Sequence, residues 1–203
     1  MRSSGRDGMR HLILAAILVL GGAGGWAGCS ESRPPQTPKP RTLAEAREIV
    51  LDLFRELDGF ELQKQLEVGL GGRPAVRMEA VWKYDGQARR GIIYVVDNPN
   101  LFNVIHYTAP SDNNVFEAGY PEFQRVIRNL KSVPYTGKLR VEEDGEHKVM
   151  RSPDLQLAIR YPSSWVYSLD EVNRAVVFSG PRSGPTWLTT ISFSVVAKWN
   201  LDR

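Results

Sequence analysis

Residues 153–203 read as strands with nothing to cover them. Leu155, Leu157, Ile159 and Tyr161 alternate along one run, which a Pro162-Ser163-Ser164-Trp165 turn closes. Ala175-Val176-Val177-Phe178 forms a second, short run ended by Ser179-Gly180-Pro181. Ile191, Phe193 and Val195 alternate with Thr190, Ser192 and Ser194 in a third. A period of two marks strands with one buried face. Roughly fifty residues of strand alone remove too little apolar surface from water to hold a core. Something else must complete these strands.

The preceding block, 42–133, carries helices. Thr42-Leu43-Ala44-Glu45 is a capping box: the threonine hydroxyl can accept from an orphan amide, and the glutamate can reach back. Leu43, Ala46, Val50, Leu53 and Leu57, with Ile49 and Phe54 beside them, line one face of a helix over about 43–58 that Gly59 stops. Alternation then takes over. Phe60, Leu62, Leu66, Val68 and Leu70 predict a strand with a break, ending at Gly71-Gly72. Val76, Met78, Ala80, Trp82 and Tyr84 predict the next, and Asp85-Gly86 a hairpin turn. Ile92–Val96 and Leu101–Tyr107 complete an antiparallel meander. A second helix is expected from Pro121 to Leu130, because proline suits a first helical turn. Residues 134–152 are polar and read as a linker or an exposed hairpin turning at Asp144-Gly145.

The N-terminus carries an address. Arg2, Arg6 and Arg10 precede the apolar run Leu12–Leu20, small residues follow, and Trp26-Ala27-Gly28 leads to Cys29, the chain's single cysteine. The apolar stretch is short for a membrane span and has the order of a secretory leader. The segment resembles the lipobox of bacterial lipoproteins. That resemblance implies a signal peptide over 1–28 and lipid attachment at Cys29. Ser30 resembles the outer-membrane sorting pattern of such proteins. Residues 29–41 then form a lipidated cysteine and a tether with four prolines, extended in character.

Composition closes several routes. One cysteine excludes an internal disulfide framework, a thiolate zinc site and an iron–sulfur centre. The whole chain has 26 basic and 23 acidic side chains. Setting aside the three arginines and Asp7 of the leader leaves near neutrality, so nucleic acid is not an expected partner. No Gly-x-Ser-x-Gly elbow is present. His106 lies in an apolar strand and reads as structural; His147 sits beside Glu146 in the polar segment. Gly69-x-Gly71-Gly72 leads into another strand and not into a helix, so it is a turn and not a phosphate loop. Glu142-Glu143-Asp144-Gly145-Glu146 lacks the spacing of a calcium loop. No catalytic residue, metal or cofactor is expected.

The two blocks together resemble the PsbP-like/DcrB-like domain family. Tyr161-Pro162-Ser163-Ser164-Trp165, Val176-Val177-Phe178, Gly180-Pro181 and Ile191–Val195 resemble its opening half. Thr42–Gly59, Gly72–Arg77, Tyr107-Thr108-Ala109-Pro110 and Phe123–Ser132 resemble its closing half. The order is reversed. Two arrangements satisfy this: a circular permutation, with 153–203 completing the sheet of 42–133 across a 134–152 linker, or two partial repeats. The resemblance implies an α+β fold, an antiparallel sheet covered by helices as an α/β/α sandwich.

It also implies a membrane-anchored extracytoplasmic lipoprotein of the bacterial envelope, on the inner leaflet of the outer membrane where one exists. The expected role is a non-enzymatic binding or assembly module for an envelope protein or complex. The alternative is a small-ligand carrier holding an apolar or anionic compound between sheet and helix. Arg89 and Arg90, beside a hairpin, and Trp199, near the terminus, are the expected binding residues.

Overall fold

The computed structural model describes residues 40–133, 136–170 and 174–198; Cys29 and Trp199 lie outside the described residues. The chain enters α1 (Leu43–Arg55) through the expected cap. The Thr42 hydroxyl accepts from the Glu45 amide at 3.1 Å, and the Glu45 carboxylate accepts from the Arg41 amide at 2.7 Å. Four antiparallel strands follow as a meander: β1 (Glu61–Leu70), β2 (Arg73–Tyr84), β3 (Gln87–Asp97) and β4 (Leu101–Pro110). Tyr84 pairs with Gln87, so Asp85-Gly86 is a two-residue hairpin loop. Both of its residues have positive φ, 50° and 71°, as the right-handed twist of the strands requires.

The second helix, α2 (Asn113–Arg128), begins eight residues before the expected start, with Asp112 as its cap and Pro121 inside it. Phe116 and Phe123 lie seven residues apart and are both buried, so the apolar stripe runs straight through the proline. The remaining strands are β5 (Lys131–Ser132), β6 (Arg140–Asp144), β7 (His147–Ser152), β8 (Leu157–Pro162), β9 (Val166–Asp170), β10 (Ala175–Ser179) and β11 (Thr190–Ala197).

These strands make two sheets. The larger has the order β1-β2-β3-β4-β11-β10-β9, the smaller β5-β8-β7-β6. The pairing of β4 with β11 runs from Thr108 opposite Thr190 to Leu101 opposite Ala197. One sheet is thus drawn from both halves of the chain. Segment 134–152 contributes β6 and β7, paired from Asp144 opposite His147 to Arg140 opposite Arg151.

The expected α/β/α sandwich is not the fold. Strands take 52% of the described residues and helices 19%, in two sheets with two helices; the protein is β-rich. The physical reason is visible on each face of the large sheet. On one face α1 buries Ala46, Val50, Leu51 and Phe54 against Met78, Trp82, Ile93, Val95, Phe102 and Val104, and so lies mainly over β2, β3 and β4. On the other, α2 shares the cover with the small sheet. Phe116, Phe123, Met150, Leu157, Ile159, Tyr161 and Trp165 close over Ile92, Ile105, Tyr107, Phe178 and Phe193. Burying each such large apolar side chain stabilises the fold by about 1.5–3 kcal/mol. A sheet takes the place that a helix would hold in the sandwich.

Candidate functional site

Strand register places the side chains facing α1 in rows across the large sheet. Gly91, Thr108, Thr190, Ser179 and Val166 stand side by side in one row. Ile93, His106, Ser192, Val177 and Ser168 stand in the next. Where α1 ends, the row members on β11, β10 and β9 are small or polar. This half of the face has no helix over it among the described residues, and it carries a cavity of about 390 Å³.

The cavity floor is Val166, Ser168, Val177, Ser179 and Thr190, and the loop 180–189 supplies the wall with Pro181, Arg182 and Trp187. That loop is held by its own backbone. Pro181 carbonyl accepts from Gly184, Gly184 carbonyl from Trp187, and Thr186 carbonyl from both the Thr189 amide and its hydroxyl, the last at 2.6 Å. Gly180 permits the tight return, since a Cβ there would lie 2.3 Å from the Thr186 hydroxyl oxygen. The Arg182 guanidinium stands 5.1 Å from the centre of the Trp187 ring, in cation–π range. No acidic side chain lines the cavity among the described residues. The space is therefore apolar, aromatic on one wall and cationic at its rim.

Beside it runs the free edge of β9. Val166 is 55% exposed, Tyr167 40% and Leu169 44%, and Asp170 is the strand's single charge. The other edge of the sheet, β1, also exposes Leu62 and Leu66. There, however, Lys64 and Glu67 flank them and a bulge between Leu62 and Lys64 breaks the register. Charge and bulges are how an edge resists further pairing; β9 has a single charge at its end, Asp170, and an unbroken register with β10.

Arg89 and Arg90 do not make a joint binding tip. Neighbours in a strand point to opposite faces. Arg89 turns toward the α1 side and is buried, its guanidinium donating to the Leu188 carbonyl at 3.4 Å. Arg90 turns toward α2, lies 3.6 Å from both Glu79 and Glu117, and stacks 4.2 Å from the Phe116 ring centre. Glu79 also receives Arg77 at 2.5 Å, and these bonds to the charged form hold its carboxyl below the usual range despite burial. Arg90 is thus occupied in a structural network. Trp199 and Cys29 fall outside the described residues.

His106 is buried beside Phe54 and Trp82, with ring centres 5.1 and 5.4 Å away, and its Nε2 has no hydrogen-bond partner. Burial away from water pushes its pKa down to about 3. It has neither a nucleophile to serve nor an acid to orient it. In the acidic run, Glu142, Glu143 and Asp144 face Arg151, Lys148 and Arg160 at 3.7, 3.5 and 2.7 Å. No group of side chains suited to a metal ion occurs among the described residues.

The residues that form the cavity escaped the sequence reading. Ser179–Pro181 appear there only as a turn, and β9 does not appear at all. A signal for β9 exists in Tyr167 and Leu169 alternating with Ser168 and Asp170, directly after a turn. Compared with known proteins, the chain matches no family model, no curated protein and no solved structure.

Proposed function

We propose that this chain is a non-enzymatic binding and assembly module of the bacterial cell envelope, tethered on the extracytoplasmic side by lipid on Cys29. Its working surface is the helix-free half of the α1 face, where a partner protein inserts an apolar side chain into the cavity. The observation that carries the reading is the cavity's wall and rim. Trp187 and Arg182 are of the residue types that dominate binding energy at protein interfaces, and here they border an apolar recess. Helix α1 enters from the tether, and its last buried residue, Phe54, meets Trp82 and His106.

The test is a photo-crosslinking residue at Trp187 in the full-length chain in its own membranes. One envelope protein should be captured, and capture should be lost with Val177→Arg, which fills the floor with charge. Cys29→Ala should move the chain out of the membrane fraction. No specific adduct, or membrane attachment that survives Cys29→Ala, would overturn the respective part.

The cavity's volume favours a second reading, a small-ligand carrier, because recesses of this size hold small molecules. The ligand would be an apolar compound with an anionic end toward Arg182, seated between sheet and loop. A thermal-shift panel separates the two: a ligand raises the unfolding midpoint by mass action, whereas a protein-only site responds to none.

A further inference from the structure

We propose that Arg89 is a buried anion subsite behind the cavity, taking the carboxylate of a small ligand whose apolar body lies against Trp187. This subsite rests on the carrier reading of the cavity and moves the ligand's charged end from the rim to the interior. Among the described residues Arg89 is the most deeply buried lysine or arginine, 6% exposed. Buried cations are normally paired with a carboxylate.

Arg89 has no such pair. On the other face of β3 its neighbour Arg90 meets Glu79 and Glu117, whereas no carboxylate of the described residues makes an ion pair with Arg89. Burial works against its positive charge, and the Tyr84 phenol is the neighbour that favours it. Its bond to the Leu188 carbonyl is long, 3.4 Å. A cation kept inside at such a cost is the kind of local conflict that functional sites retain.

Register puts this cation next to the cavity. Leu188, which takes the guanidinium's bond, lies in the chain between Trp187 and Thr190, and both of those line the cavity. Across the sheet Thr190 stands opposite Thr108, and Thr108 opposite Gly91, two residues from Arg89. The Thr108 hydroxyl oxygen is buried with no hydrogen-bond partner. A guanidinium and a hydroxyl thus flank the inner end of the row whose outer end is the cavity floor. A carboxylate suits that pair, since its two oxygens accept from both donors and its single charge balances a single cation. Leu188 is 37% exposed, so its carbonyl can turn to water when the carboxylate takes its place. A recess of about 390 Å³ is at the small end of ligand cavities, and its apolar floor and indole wall suit a short aromatic or aliphatic body.

The experiment titrates the full-length chain in lipid nanodiscs by calorimetry with phenylbutyrate and its neutral twin phenylbutanol, subtracting empty discs. The carboxylate should bind about tenfold tighter than the alcohol, or more. Arg89→Met should remove that preference and leave the alcohol's affinity as it is, with a urea midpoint equal to the parent's or higher. Thr108→Val should weaken the carboxylate several-fold and the alcohol not at all. Equal affinity for the twins overturns the subsite and leaves the carrier reading standing; binding of neither overturns both. A preference lost in Arg182→Gln but kept in Arg89→Met puts the carboxylate at the rim and overturns the subsite. So does a lower urea midpoint for Arg89→Met, which makes the guanidinium a strut between β3 and the loop.

Discussion

His106 shows what a single buried titratable group does to this fold. Its imidazole stands between Phe54 and Trp82 with no partner at Nε2, and burial lowers its pKa to about 3. In the unfolded chain the same group titrates near 6.5. Between those values the unfolded state holds a proton that the native state refuses, so stability falls as pH drops from about 6.5 toward 3 and is unaffected above. The slope amounts to about 1.4 kcal/mol per pH unit. Urea unfolding at pH 7 and pH 5 should therefore show a loss from this group of about 2 kcal/mol, and His106→Leu should remove that share. Equal losses in both proteins would mean that the imidazole reaches water. A second residue-scale test concerns Asn103. Its side-chain amide donates to the Leu155 carbonyl at 2.9 Å, and its carbonyl accepts from Asn98. Asn103→Ala leaves two buried groups unpaired and should cost about 2–4 kcal/mol by urea unfolding.

Among the elements, α2 carries an internal contradiction. Pro121 lacks an amide hydrogen and leaves the Glu117 carbonyl without its helical donor, yet the helix continues to Arg128. Tertiary burial outweighs local preference: Phe123 stacks on Tyr107 with ring centres 4.9 Å apart, and Tyr107 donates to the Phe116 carbonyl at 2.6 Å. Pro121→Ala should raise the unfolding free energy by about 1–3 kcal/mol, measured by urea titration. A fall instead would show that the proline's bend is needed to seat both phenylalanines. The same helix marks where sequence reading stops. α1 was legible because a cap, a stop and an apolar stripe agree, and the meander because Asp85-Gly86 and clean alternation agree. The start of α2 was hidden by a proline that usually opens helices. β6 and β7 were legible only as one of two readings of 134–152, an exposed hairpin turning at Asp144-Gly145, because their charged side chains obscure the period of two. β9 has one partner and five residues, too few for periodicity to stand out. The cavity left no trace for a simpler reason: Ser168, Val177, Ser179 and Thr190 are ordinary residues, made neighbours only by the register of β9, β10 and β11.

At the scale of the whole molecule, the question is what makes residues 153–198 stable, since their strands lack a cover of their own. The answer lies in three seams with the first half. β11 pairs along β4, β8 pairs with β5, and Asn103 reaches Leu155. Behind the first seam Ile191 and Phe193 enter the same core as Ile105 and Tyr107. These side chains come from opposite sides of the 134–152 segment, so cutting that segment severs the chain without opening the core. A protease site placed at Gly137 should therefore yield two fragments that co-migrate on a non-denaturing sizing column and unfold together. Folding then becomes bimolecular, so the midpoint of the cut protein should rise with protein concentration, while that of the uncut protein should not. Removing the second fragment exposes the β4 edge and half of the core at once, and the first should then aggregate. If instead the pieces separate and 42–133 alone keeps the parent's midpoint, the β4–β11 seam contributes little. The chain would then be two partial repeats, each awaiting strands from elsewhere.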